Sequence, residues 1–103
     1  MFEPLNPGFV VGRLAVVSTT GDRPTLGVPE FTAAADSAGA LEDAYLLAHL
    51  SGCYLRVWSD STTPAETLAV PGPTLLDYRL PEGPGPVLIA RRETARRLDR
   101  WLG

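Results

Sequence analysis

Two side chains suited to nucleophilic or acid–base chemistry stand four residues apart: His49 and Cys53, the one histidine and the one cysteine of the chain. A thiolate nucleophile needs a base within hydrogen-bond reach. Neighbouring turns of one helix would supply that contact, but Gly52 interrupts any helix between the two, and Cys53 opens a strand-like run whose same-face neighbours are Leu55 and Val57. The pattern predicts a core-facing, inert thiol and a histidine at the rim. A structural zinc site needs four Cys or His ligands, and the chain has two such residues. Glu42-Asp43 is an acidic pair without the spaced Asp/Asn/Gly loop that holds calcium. Gly83-Pro84-Gly85-Pro86 is glycine-rich, but its prolines remove the N–H groups that would cradle a phosphate, so it reads as a stiff turn. Catalysis on this chain would fall to arginine and carboxylate chemistry, with Asp60, Asp77 or Glu66, which no motif groups together. No catalytic residue, metal or cofactor is assigned, and the balance leans away from an enzyme.

Two constellations suit binding. The first is an arginine ridge: Arg92, Arg96 and Arg100 recur at four-residue spacing along one helical face. Guanidinium groups so placed can meet successive phosphates or an acidic protein surface by bidentate donation. They are equally at home on a solvated helix face, where Glu93 and Arg97 (i,i+4) and Arg96 and Asp99 (i,i+3) form favourable pairs. The second is Tyr54, Arg56 and Trp58, which alternate onto one face of a strand and belong to the types enriched at binding hot spots. A sheet face covered by a helix would carry the same trio.

The elements that must position these residues follow from periodicity. Phe9–Ser18 is rich in β-branched residues and apolar on both faces, which predicts a strand covered on both sides. Gly21-Asp22 suits a type II′ turn, returning the chain along Thr25 to about Phe31. That register places Val17 opposite Leu26, Ala15 opposite Val28 and Arg13 opposite Glu30, with Pro24 and Pro29 marking an edge strand. Asp36 or Ser37 can cap a helix from about Ala38 to Ser51, with Leu41, Ala44, Tyr45 and Ala48 on its apolar face and Gly52 as its stop. Cys53–Trp58 reads as a strand. Thr63-Pro64-Ala65-Glu66 has the signature of a short-helix start, ended by Pro71-Gly72-Pro73. Thr74–Leu80 reads as a strand, Pro81–Pro86 as a turn or loop, and Val87–Ala90 as a short central strand. Residues 91–102 form a final helix with Thr94 or Ala95, Leu98, Trp101 and Leu102 inward.

These elements give an α+β domain over residues 1–103: a small, mostly antiparallel or mixed sheet of about five strands, two main helices and one short helix. The stretch Arg23-Pro24-Thr25-Leu26-Gly27-Val28-Pro29-Glu30-Phe31-Thr32, a strand running into Pro-x-Phe-Thr before a helix, resembles the start of SseB-type domains. It spans about a tenth of the chain, and the Pro-Gly signature expected after the following strand is displaced. Membership is not inferred from it, and it would imply little about biochemical role.

Charge narrows the function classes. The net charge is −3 and every basic residue is an arginine, a usage that with ten Gly and ten Pro suggests a GC-rich, bacterial-like coding sequence. Overall acidity argues against a nucleic-acid coat. The charge is split, however: residues 87–103 carry five arginines and two acids, a net +3, leaving −6 on residues 1–86. No apolar run reaches the ~18–20 residues of a membrane span, and the N-terminus lacks signal-peptide character. With a single cysteine, a cytoplasmic setting is expected. The reading that follows is a non-catalytic interaction or regulatory module, a homodimer or the partner of another protein. The second reading is nucleic-acid or phosphate binding by the C-terminal arginine helix.

Overall fold

A computed structural model of the protein describes residues 2–102. Its elements are β1 (Phe2–Asn6), β2 (Phe9–Thr19), β3 (Thr25–Leu26), α1 (Val28–Ala38), β4 (Leu46–Leu50), β5 (Cys53–Ser59), β6 (Thr67–Pro71), α2 (Gly72–Tyr78), β7 (Gly83–Ala90) and α3 (Arg92–Leu102). The class is α+β, as composition and pattern suggest, but the sheet has seven strands rather than about five, and it closes. β2 pairs antiparallel with the whole length of β7, from Phe9↔Ala90 to Val16↔Gly83. Its other edge is shared end to end by β1, antiparallel, and β6, parallel from Ala15↔Thr67. β6 then pairs with β3, β3 with β5, β5 with β4, and β4 with β7, which returns to β2. Six strands thus form a barrel, and β1 lies outside the ring on the edge of β2.

The barrel interior explains the strand pattern. β2 turns Val10, Gly12, Leu14 and Val16 inward, all buried, while Val11 and Ala15 are half-buried and Arg13 and Val17 exposed. The expected cover on both faces is therefore absent from the outer face of β2. Gly12 is where Phe2 folds over the strand: a Cβ at position 12 would lie 2.5 Å from the Phe2 ring, so only glycine admits that packing.

The region 20–51 differs most from expectation. β3 is two residues long and pairs with β5 and β6, not with β2. Val17 faces Ala69, Ala15 faces Thr67 and Arg13 faces Pro86, so the hairpin about Gly21-Asp22 does not form. Pro29 sits in the first turn of α1, where its missing N–H costs nothing, and not on a sheet edge. The Pro29-x-Phe31-Thr32 stretch that carries the SseB-type resemblance is thus the start of this helix. α1 buries Phe31, Ala34, Ala35 and Ala38 and ends at Gly39 in the left-handed region (φ 70°). The Ala40 N–H bonds the Ala35 carbonyl at 2.8 Å, the closing bond of a Schellman cap.

The helix expected over 38–51 is instead a loop followed by β4. Leu46, Ala48 and Leu50 face the barrel interior, and Leu47 on the outer side is also 1 % exposed. A strand buried on both faces loses its alternation and imitates a helical stripe. Gly52 is not a helix stop. Ser51 (φ 50°) and Gly52 (φ 80°) are the centre of the β4–β5 hairpin, closed by the pair Leu50↔Cys53. Positive φ at both positions is the type I′ geometry that matches strand twist.

The following segments exchange roles in the same way. Thr63–Glu66 is a turn leading into β6, a strand buried at every position. Pro71-Gly72-Pro73 starts α2 instead of ending a helix, and Thr74–Leu80 belongs to α2 and its cap, not to a strand. Pro84 and Pro86, expected in a loop, lie in β7. Being two residues apart, they present their missing donors to one edge, and in this half β7 has only β2 beside it. None of the helices is long and apolar enough to cross a membrane.

Gly52→Val should lower stability by about 1–2 kcal/mol, the usual cost of a left-handed L-residue. A urea titration should show a lower midpoint with an unchanged slope. Ser51→Asn, which suits the same turn, should leave the midpoint within error or raise it.

Candidate functional site

The outer face of β5 carries Tyr54, Arg56 and Trp58, all half-buried, while Leu55 and Val57 point into the barrel, so the expected alternation is present. Around the trio the fold assembles a stack that runs across the barrel wall. The Arg23 guanidinium lies 4.5 Å from the Trp58 ring centre, and Tyr45 packs on Trp58 with centroids 5.5 Å apart. Arg56 then lies 5.7 Å over the Tyr45 ring. Asp99 of α3 closes the row: its carboxylate accepts from the Tyr45 hydroxyl at 2.9 Å and from Arg56 Nε and Nη2 at 3.3 and 3.2 Å. Tyr45 most strongly favours the charged Arg56 guanidinium, burial opposes it, and Asp99 adds to Tyr45, so that the group is held above its ordinary range. Tyr54 stands apart from this row, 4.6 Å from His49, which in turn meets Phe9.

This stack is also what fastens α3. No residue of α3 is buried. Besides Asp99, the helix is tied by Arg92 Nη2 to Asp43 Oδ1 at 3.5 Å and, just before its first residue, by the Arg91 N–H to the Gly8 carbonyl at 2.9 Å. Of the residues expected to face inward, Thr94, Ala95 and Leu98 are half-buried, but Trp101 is 87 % exposed and Leu102 46 %. Ala95, Leu98 and Asp99 define the inward stripe, and Trp101 falls to its side.

The arginine ridge is accordingly redrawn. Arg92 does not point outward with the others; it is half-buried against Asp43. Arg96 and Arg100 are exposed and are joined by Arg97, the three lining one shallow hollow with Glu93. Neither anticipated helix pair forms: Asp99 turns to Arg56 instead of Arg96, and Glu93 and Arg97 are not within ion-pair distance. Arg56 and Trp58 are therefore brought to α3 through Asp99 and Tyr45, while Arg96 and Arg100 stay outside the contact. Tyr45, Asp99 and Arg23 escaped the sequence reading. Sequence periodicity sets Tyr45 on a helix face, and nothing along the chain signals that residues 45, 56 and 99 meet.

The remaining candidates are dispersed. His49 and Tyr54 share the outer face of the β4–β5 hairpin, whereas Cys53, opposite Leu50, packs against the core. The thiol and the imidazole thus lie on opposite faces of one sheet. Asp60 is on the β5–β6 loop, Glu66 just before β6, and Asp77 on α2. Among the described residues no group of three or more His, Cys, Asp or Glu is placed to hold a metal ion. A concavity of about 470 Å³ lies between the β2–β3 and β5–β6 loops and is lined by hydroxyls such as Ser18, Thr25 and Thr63 together with Arg23 and Asp60. Its polar groups serve the loops themselves: Thr25 and Thr63 hydroxyls share a hydrogen bond of 2.7 Å, and the Asp60 carboxylate accepts from the Thr62 N–H and hydroxyl at 2.8 and 2.7 Å.

Two measurements test these contacts. The Thr62 N–H, then its hydroxyl, hold the Asp60 carboxyl below its ordinary range. A group depressed in the folded state stabilises above its unfolded pKa, and that stabilisation is lost as pH falls through its folded pKa. An NMR titration should therefore show Asp60 protonating at lower pH than a free aspartate, and Thr62→Ala, which keeps the N–H, should bring it part of the way back. Asp99→Ala should cost roughly 0.5–1 kcal/mol, since the pair is only part-buried. Amide exchange in α3 should rise well before exchange in the barrel strands.

No curated protein and no solved structure matches the chain. A family match extends over the full 103 residues, in contrast to the tenth of the chain that carries the SseB-type resemblance. The chain belongs to the family of unknown function DUF5802, over residues 1–103.

Proposed function

We propose that this protein is a non-catalytic protein-interaction module that self-associates through α3 and acts in the cytoplasm. One observation carries the reading: Trp101, 87 % exposed, stands in the last turn of a helix none of whose residues is fully buried. Tryptophan and arginine are the types that dominate interface energetics, and here Arg97 and Arg100 precede the exposed ring by four residues and one. The ion pairs that hold α3 turn its inner stripe to the barrel, so its outer face is left for a partner. The −6 charge of residues 1–86 and the +3 charge of residues 87–103 favour a second copy as that partner. A symmetric pair is the commonest oligomer, and the single cysteine suits a reducing compartment.

A second reading, nucleic-acid or phosphate binding, draws on the outward cluster of Arg96, Arg97 and Arg100 around one hollow.

Light scattering on a sizing column, at low and high salt, separates the two. The expected result is a dimer whose dissociation constant rises at least tenfold in Trp101→Ala, the effect of losing a hot-spot residue of about 2 kcal/mol. A strict monomer at high protein concentration overturns self-association. If such a monomer retained single-stranded DNA or RNA in low salt, and lost it when Arg96, Arg97 and Arg100 became alanine, the second reading would take its place.

A further inference from the structure

Self-association through α3 requires an acceptor for its basic, aromatic end, and one patch of the same molecule has the complementary chemistry. Between the end of α1 and the start of β4 the chain forms a shallow hollow of about 340 Å³, lined by Asp36, Gly39, Leu41, Glu42 and Arg92. Leu41 is 59 % exposed, a large apolar side chain without cover. Asp36 and Glu42 are exposed carboxylates, and neither is within ion-pair distance of a cation among the described residues. Arg92, the one cation of this wall, is already engaged by Asp43. The patch therefore presents two uncompensated negative charges around an apolar centre.

The donor has the inverse make-up. Arg97 and Arg100 are exposed, without a carboxylate partner among the described residues, and next to Trp101. Arginine pairs with carboxylates bidentately, and Trp supplies the apolar contact area.

We propose that the Arg97/Arg100/Trp101 end of α3 in one protomer docks on the Asp36/Leu41/Glu42 hollow of a second copy of this chain. This rests on the self-association reading above and names the surfaces that carry it. The arrangement is suited to a two-fold pair. Arg92 places the hollow beside the first turn of α3, and Trp101 stands near its last residue, about 14 Å further along the axis. Each protomer thus offers a donor and an acceptor at opposite ends of the same helix. A two-fold axis lets both contacts form at once, giving a closed, self-complementary interface. Within one chain the two patches cannot meet, because the rigid helix holds them apart.

Charge reversal tests the pairing. Variant one is Asp36→Arg with Glu42→Arg; variant two is Arg97→Glu with Arg100→Glu. All four positions are exposed, so neither variant disturbs the core. Sedimentation analysis should show the wild type as a dimer that weakens with salt. Each variant alone should dissociate at least tenfold more readily, because both of its patches then carry like charge. An equimolar mixture should regain a dimer containing one copy of each, since both contacts are again between opposite charges. A misfolded variant could not give that recovery. If the wild type is a dimer and either variant alone keeps its dissociation constant, or the mixture fails to associate, the proposed surfaces are wrong while self-association stands. A monomeric wild type overturns both.

Discussion

Closure of the sheet through the β2–β7 ladder is the constraint on which the rest of this structure depends. Eight consecutive residue pairs join the two strands, from Phe9↔Ala90 to Val16↔Gly83. They close a run of short strands into a ring that has no terminal strand. β2 can serve this role because it is 11 residues long and shares its other edge between β1 and β6. With closure, residues as distant along the chain as Val10, Leu26, Val57, Leu68 and Ile89 reach essentially zero exposure. In a chain of this size one such core is what stability rests on. In the Pro84–Pro86 half of β7 the ladder is single-sided, and the prolines there remove donors that would invite another strand.

α3 has a different standing. Its inward stripe is only half-buried, and its specific ties are polar: the Asp99 carboxylate reaching Tyr45 and Arg56, the Arg92–Asp43 pair, and one backbone bond to Gly8. Part-exposed ion pairs contribute little each. The packing of Trp58, Tyr45 and the two guanidinium groups adds area that the pairs alone lack. The free energy of local opening is therefore uneven, highest in the barrel and lowest in the terminal helix. A weakly held helix whose outer face is basic and whose end is aromatic can engage a partner without disturbing the core. This is why the functional reading centres on α3 and not on the polar cleft, whose groups bond among themselves.

The site was partly legible along the chain. Strand alternation alone placed Tyr54, Arg56 and Trp58 on one face and Cys53 on the other, because a strand's period of two is local. Four-residue spacing likewise marked the arginines of the last helix. Which of them would be free was not legible. Arg92 is drawn to Asp43 and Asp99 to Arg56 by residues 49 and 43 positions away, and helix periodicity favoured the nearer pairs instead.

What the amino-acid sequence determined by itself is the α+β class, the strands over Phe9–Ser18 and Cys53–Trp58, each extended by one residue in the fold, the central Val87–Ala90 segment, the terminal helix and the split of charge. Each of these depends on local pattern or on composition. Tertiary structure alone decided the identity of residues 28–50 and 63–80. Leu46–Leu50 is a strand because both its faces are covered, inside by the barrel and outside at Leu47, and burial on two sides erases the alternation that would have announced it. Pro29, Gly52 and Pro73 are turn and helix punctuation whose meaning, start or stop, depends on what lies on either side in space. The barrel itself follows from pairings such as Ala15↔Thr67 and Thr25↔Ala69, between segments more than forty residues apart, for which no local signal exists.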